Sequence, residues 1–157
     1  MARYRRYIRK SFKKRNSDRV IRAGSSKIVG QTQQIAYTYT APEACTVKSI
    51  KLDVGATTAS STTVPDTVAL PYVLVVVPEG YDANAINYPA LSDDMYNPTN
   101  LVLISGILTD QTSEDHKYNM IGRKLKKGDR LALVFRNPQE AAVGTTVSFE
   151  INFSIMT

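Results

Sequence analysis

Val147, Phe149, Ile151, Phe153 and Ile155 occupy every second position near the end of the chain, with Ser148, Glu150, Asn152 and Ser154 between them. Successive side chains of an extended backbone point to opposite faces, so this spacing predicts a long strand with one buried and one wet side. A helix would scatter the same five apolar side chains around its circumference. The period of two governs most of the chain beyond Gly24. Ile35, Tyr37 and Tyr39 alternate with Ala36, Thr38 and Thr40 as far as Pro42, which predicts a strand presenting those three bulky residues on one face. Ile50, Leu52 and Val54 alternate with Lys51 and Asp53 in a strand that starts near Thr46 and stops at Gly55.

Val73 to Val77 is a continuous apolar run, as expected of a strand covered on both faces, and Leu101 to Leu108 is again largely apolar, with Gly106 as a bulge. Leu131, Leu133 and Phe135 alternate with Ala132, Val134 and Arg136 before Asn137-Pro138, and Tyr118 to Leu125 is a weaker strand. Between these last two, Lys126-Lys127-Gly128-Asp129 reads as a hairpin turn. Ala56 to Thr63 and the acidic stretch Asp110 to Asp115 read as loops, as does the long connection bearing Tyr81, Tyr88, Pro89, Tyr96 and Pro98. That makes seven strands, with an eighth expected either between Val20 and Val29 or within the tyrosine-bearing connection. At 157 residues there is room for one core. The prediction is an all-β protein: a single eight-stranded antiparallel jelly-roll sandwich with a basic N-terminal arm. An immunoglobulin-like sandwich satisfies the periodicity as well.

Charge divides the chain differently from hydropathy. Residues 1–22 hold ten Lys and Arg against Asp18 alone, a net charge of +9, while the other 135 residues carry −3, which together give the +6 of the whole. The expected organisation is therefore an arm over residues 1–24 and a sandwich over 25–157. Within the arm, aromatic residues interleave with cations: Arg3, Tyr4, Arg5, Arg6, Tyr7, Arg9, Lys10, Phe12, Lys13, Lys14 and Arg15, followed by Arg19 and Arg22. Cations neutralise phosphates and rings stack on exposed bases, so these residues are the candidate nucleic-acid contacts. Tyr4, Ile8 and Phe12 lie at helical spacing, but the like-charge pairs Arg5 with Arg9 and Arg6 with Lys10 oppose a helix until phosphates neutralise them. A nuclear address is compatible with the same cations. A second basic group, Arg123, Lys124, Lys126 and Lys127 with Arg130 beyond, extends the candidate surface around the expected turn.

Other chemistries find little support. Cys45 has no second cysteine to pair with and His116 is the lone imidazole, so no zinc cluster is assembled; the thiol is expected in the core and the histidine in a solvated loop. Asp93-Asp94 and the Asp110, Glu114, Asp115 group lack the spacing of a calcium cage. There is no Gly-rich phosphate loop, HExxH or GxSxG pattern, so neither catalysis nor a cofactor is expected. No run of about 18 apolar residues suggests a membrane span. The first residues lack an apolar h-region, so secretion, and modification of the Asn152-Phe153-Ser154 sequon, are not expected.

An Arg- and Tyr-rich arm ahead of a helix-poor sandwich resembles the capsid proteins of small icosahedral viruses, most of all those of circular single-stranded DNA (CRESS-DNA) viruses. MARYRRYIRKSFKKR carries most of this resemblance; SIKLDVG, MYNPTNLVLISG and RKLKKGDRLALVFRN look like the body of such a protein. Satellite-virus coat proteins, which enclose RNA, are similar in size and layout. The resemblance implies a homo-oligomeric shell of about 60 subunits, built by repeating one set of interfaces under closed symmetry. It also implies arms holding a single-stranded genome, DNA in preference to RNA, no membrane partner, and a location in the virion and, during assembly, in the host nucleus. The competing reading is a ribosomal-type or other RNA-binding protein with a basic extension on a small β domain. A carbohydrate-binding or hydrolytic sandwich would need a carboxylate cluster that the sequence does not supply.

Overall fold

A computed structural model describes residues 18–29, 34–58, 70–82, 101–109, 114–136 and 145–157. Eight strands run through them: β1 (Arg19–Val29), β2 (Gln34–Thr40), β3 (Cys45–Thr58), β4 (Leu70–Val77), β5 (Val102–Leu108), β6 (Glu114–Leu125), β7 (Arg130–Phe135) and β8 (Thr145–Met156). No helix occurs among the described residues. The strand expected between Val20 and Val29 is β1, so residues 19–24, read from charge as the end of the arm, form the first half of a strand paired along its whole length with β8.

The pairs β1·β8, β2·β7, β3·β6 and β4·β5 are nested and antiparallel, like one long hairpin folded upon itself. Contacts β3·β8 and β4·β7 then join the ribbon into two four-stranded sheets of order β1-β8-β3-β6 and β2-β7-β4-β5. This is the jelly roll; an immunoglobulin order would seat β1 beside β2. Between the sheets lie Ile50, Leu52, Leu74, Leu131, Leu133, Phe135, Ile151 and Phe153, all fully buried. Aromatic contacts tie the layers, with Tyr39 edge-on to Phe153 at 5.0 Å and Tyr37 tilted against Phe149 at 6.1 Å. Cys45 is buried at the start of β3, where burial, ahead of the nearby Glu43 carboxylate, pushes its thiol above the ordinary value.

Several local expectations are corrected by packing. Ile35 pairs with Val134 and Tyr37 with Leu133, so Ala36 is an extra residue; this bulge turns Ile35 to the far face of the second sheet while Tyr37 and Tyr39 face the core. In β5 the additional residue is Leu103, not Gly106, because Leu74 opposes Ile104 and Val75 opposes Val102. Gly106 instead opposes Tyr72, and a Cβ there would lie 2.4 Å from the phenol oxygen. β3 continues into the predicted loop as far as Thr58, and β6 starts at Glu114, which takes the end of the acidic stretch and His116 into a strand.

The turn at 126–129 is tight, with the Asp129 N–H donating to the Lys126 carbonyl at 3.2 Å and Gly128 at φ +88°. It does not close a hairpin, because β6 belongs to the first sheet and β7 to the second. It is a corner between layers, held to the preceding β2–β3 connection by backbone bonds from Ala41 N–H to Asp129 O and from Gly128 N–H to Ala41 O, both 2.9 Å.

Candidate nucleic-acid interface

The arm residues Arg3, Tyr4, Arg5, Arg6, Tyr7, Arg9, Lys10, Phe12, Lys13, Lys14 and Arg15 lie outside the described residues. The remaining six candidates are all in place. Arg19 and Arg22 sit on β1, one edge of the first sheet; Arg123 and Lys124 sit on β6, the opposite edge; Lys126 and Lys127 lie in the corner that follows.

Register brings Arg19 and the second basic group to one end of the sheet, while Arg22 lies farther in, in the row of Asn152, Lys51 and Tyr118. Arg19 opposes Ile155, Ile155 opposes Val47, and Val47 opposes Arg123, so the two arginines terminate a single row across four strands. Three strand spacings of about 4.8 Å separate their backbones by about 14 Å. Lys124 opposes Thr46 in the neighbouring row, on the outward face. Asp18 stands at this same end, where its carboxylate takes a 3.1 Å contact from Lys48, the bulged residue of β3. The arm thus joins the sandwich where the second basic group is displayed.

Carboxylates are distributed unevenly among these cations. Lys48 pairs with Asp18, Lys51 with Asp53 at 2.9 Å and Lys117 with Asp115 at 3.2 Å. Arg19, Arg22, Arg123, Lys124, Lys126 and Lys127 have no carboxylate partner among the described residues. Asp129 is nearest by sequence to the lysine pair, but both its oxygens are engaged by backbone: Oδ2 accepts from the Lys126 N–H at 2.8 Å and Oδ1 from the Glu79 N–H at 3.2 Å. Arg123 is half-buried, and its Nε is enclosed without a hydrogen-bond partner, while Lys124, Lys126 and Lys127 are exposed. Glu79 also stands at this corner, its carboxyl carbon 2.5 Å from where a Cβ on Gly128 would lie. Among the described residues this end therefore has an excess of cations beside carboxylates that form no ion pair with them, which still favours an anion.

The same strands display features that the sequence reading missed. Tyr118 is 67% and Met120 76% exposed on the outward face of β6. The signal was available, because Tyr118 and Met120 alternate with Asn119 and Ile121, but alternation alone does not say which of the two sets faces the core. His116, also outward, places Nδ1 2.7 Å from Asp53 Oδ1. The Lys51 hydrogen bond, followed by that of His116, outweighs desolvation and holds the Asp53 carboxyl below its ordinary range. Facing inward on the same strand, Asp115 Oδ2 accepts from the Tyr72 hydroxyl at 2.6 Å and Asn119 Nδ2 donates to the Leu103 carbonyl at 3.1 Å, which fastens β6 to the second sheet.

No family model and no curated protein matches the chain. Among solved structures it is similar to a chain from desmodium yellow mottle tymovirus, at 12% identity over 88% of this chain and 89% of that one, with a TM-score of 0.35.

Proposed function

We propose that the chain is a viral capsid protein whose jelly roll self-associates into a closed shell and whose arm packages a single-stranded genome. The observation that carries this reading is the gathering of Arg19, Arg123, Lys124, Lys126 and Lys127, without carboxylate ion pairs among the described residues, at the end of the first sheet where the arm joins it. A strongly basic arm attached there supplies phosphate neutralisation without sequence readout, which suits packaging. The closed eight-stranded sandwich leaves its loops and edge strands to meet other copies in a homo-oligomer of about 60 subunits. DNA is the favoured genome, on the arm's likeness to those of circular single-stranded DNA viruses; the virion is the final location, and the arm's cations suit passage through the host nucleus.

Electron microscopy of the purified full-length chain tests this directly. Discrete spherical particles with absorbance raised at 260 nm are expected. A monomer, or a ribonucleoprotein without closed shells, would favour the ribosomal-type alternative. Binding to single strands should weaken with salt at a slope of roughly −7 in log K against log concentration if all ten cations of residues 1–22 contact phosphate. Removing residues 1–17, which spares β1, should leave particles with little nucleic acid; undiminished content would move the packaging site into the body.

A further inference from the structure

Among the described residues nothing covers the outward face of the first sheet, and its side chains follow from register. One row across it reads Arg22, Asn152, Lys51, Tyr118; the next, toward the basic end, reads Val20, Ser154, Ser49, Met120. The row on the other side reads Gly24, Glu150, Asp53, His116, so acid and base are segregated along the strands. The carboxylates of that row are engaged within the face: Asp53 by Lys51 and His116, and Glu150 by the Asn152 amide at 3.0 Å. Arg22 and Lys124 have no such partner among the described residues.

We infer that this face is a second nucleic-acid surface, on which the Tyr118 ring stacks against an unpaired base while Arg22 and Lys124 hold phosphates farther along the strand on either side. The inference rests on the packaging reading above and extends it from the arm to the body. A four-stranded sheet presenting an aromatic ring on an open face between cations has the elements that single-strand binding needs, a flat stacking partner and charge along the backbone path. A second protein copy fits less well. The exposed apolar residues Val20 and Met120 stand at opposite edges of the sheet, divided by Ser49 and Ser154, whose hydroxyls lie 2.8 Å apart, whereas a protein interface has a contiguous apolar centre. The strand's path would run from Arg22 across to Tyr118 and on toward Lys124 and the Lys126-Lys127 corner, away from Glu114 and Glu150.

Photocrosslinking of the full-length chain to a single-stranded oligonucleotide carrying 5-iodouracil tests this. Trypsin releases Tyr118 to Arg123 as one peptide, since it follows Lys117, and an adduct on Tyr118 within that peptide is expected besides those on the arm. Tyr118→Ala should weaken oligonucleotide affinity about tenfold, with Tyr118→Phe close to wild type because the ring is kept. Tyr118 is exposed, so neither variant threatens the fold. Adducts confined to the arm, with affinity unchanged in Tyr118→Ala, would overturn the second surface and leave the packaging reading standing. Unchanged affinity with altered sedimentation would assign the face to a second copy, which also overturns it. Absence of any adduct and any binding would defeat both readings together.

Discussion

The outward faces of the two sheets differ more than the sheets themselves. In the first, outward positions are mostly polar or charged, with Arg22, Lys51, Glu150 and Lys124 exposed, and the apolar exceptions Val20, Tyr118 and Met120 stand on the two edge strands. In the second, the outward positions Val73, Val75, Val77, Ala132 and Val134, with Ile35 against them, form an apolar cluster of their own, and most of its members are almost completely buried. One sheet follows the period-two rule of a half-wetted layer; in the other the two central strands, β7 and β4, are apolar on both sides, as continuous runs such as Val73 to Val77 require, while Thr38, Thr40 and Ser105 on its edge strands are exposed. The lesson is that surface chemistry here belongs to the first sheet and the arm beside it.

Introducing the same charge on each face gives the largest effect. Val134→Lys puts an ammonium at a site that is 1% exposed, and such a charge without a partner costs several kcal/mol, a large part of a domain's stability. Ser148→Lys, at an exposed outward position of β8, should change stability by less than about 0.5 kcal/mol. Chemical denaturation of both variants would reveal it; equal midpoints would erase the distinction between the faces.

Gly106→Ala comes next, because its methyl would lie within 2.4 Å to 2.7 Å of the Tyr72 phenol, and overpacking of this kind costs about 1–3 kcal/mol. A urea midpoint equal to that of wild type would show that Tyr72 does not rest on Gly106.

Tyr72→Phe removes the hydrogen bond that links β4 to Asp115 on β6, worth about 1 kcal/mol. It also changes the alkaline limb of the stability profile. Burial first, and then the Asp115 hydrogen bond, push the Tyr72 phenol above its ordinary 10.0. The folded-state value is the higher one, so its contribution is complete below pH 10.0 and disappears as pH rises through the folded value. Unfolding scans toward high pH should show a shallower loss in Tyr72→Phe; an identical alkaline limb would remove Tyr72 from the account.

The smallest effect concerns Asp53. Its carboxyl titrates below the ordinary 3.8, so the stability it contributes is present above that value and lost as pH falls through the lower folded value. Asp53→Asn should leave neutral midpoints nearly unchanged, because contacts to exposed side chains are weak, and should flatten the profile only in acid. A marked shift at neutral pH would mean that the Lys51–Asp53–His116 group carries more of the sheet than its exposure allows.

Legibility of the chain varied with the evenness of its alternation. β8 and β3 were plain because their inward positions are uniformly apolar. β6 was faint because it is an edge strand whose inward positions include Asp115, Lys117, Asn119 and Arg123, residues that bond across to the second sheet or lie half-buried at its margin. The six described candidates were found as charges, but the meeting of Arg19, Arg123, Lys124, Lys126 and Lys127 at one end depends on pairings between residues more than 100 positions apart, such as Arg19 with Ile155. Tyr118 was passed over because a lone tyrosine in a weak strand is as well explained by core packing.

By itself, the sequence determined the centres of seven strands and the concentration of basic charge in residues 1–22, since both depend on neighbours within a few residues. Tertiary structure alone decided that the 126–129 turn passes between layers, that a bulge sends Ile35 away from the core, and that β1 takes residues from the arm. Each of these depends on which distant strand supplies the hydrogen-bonding partner. Period-two patterning selects a face without naming that partner.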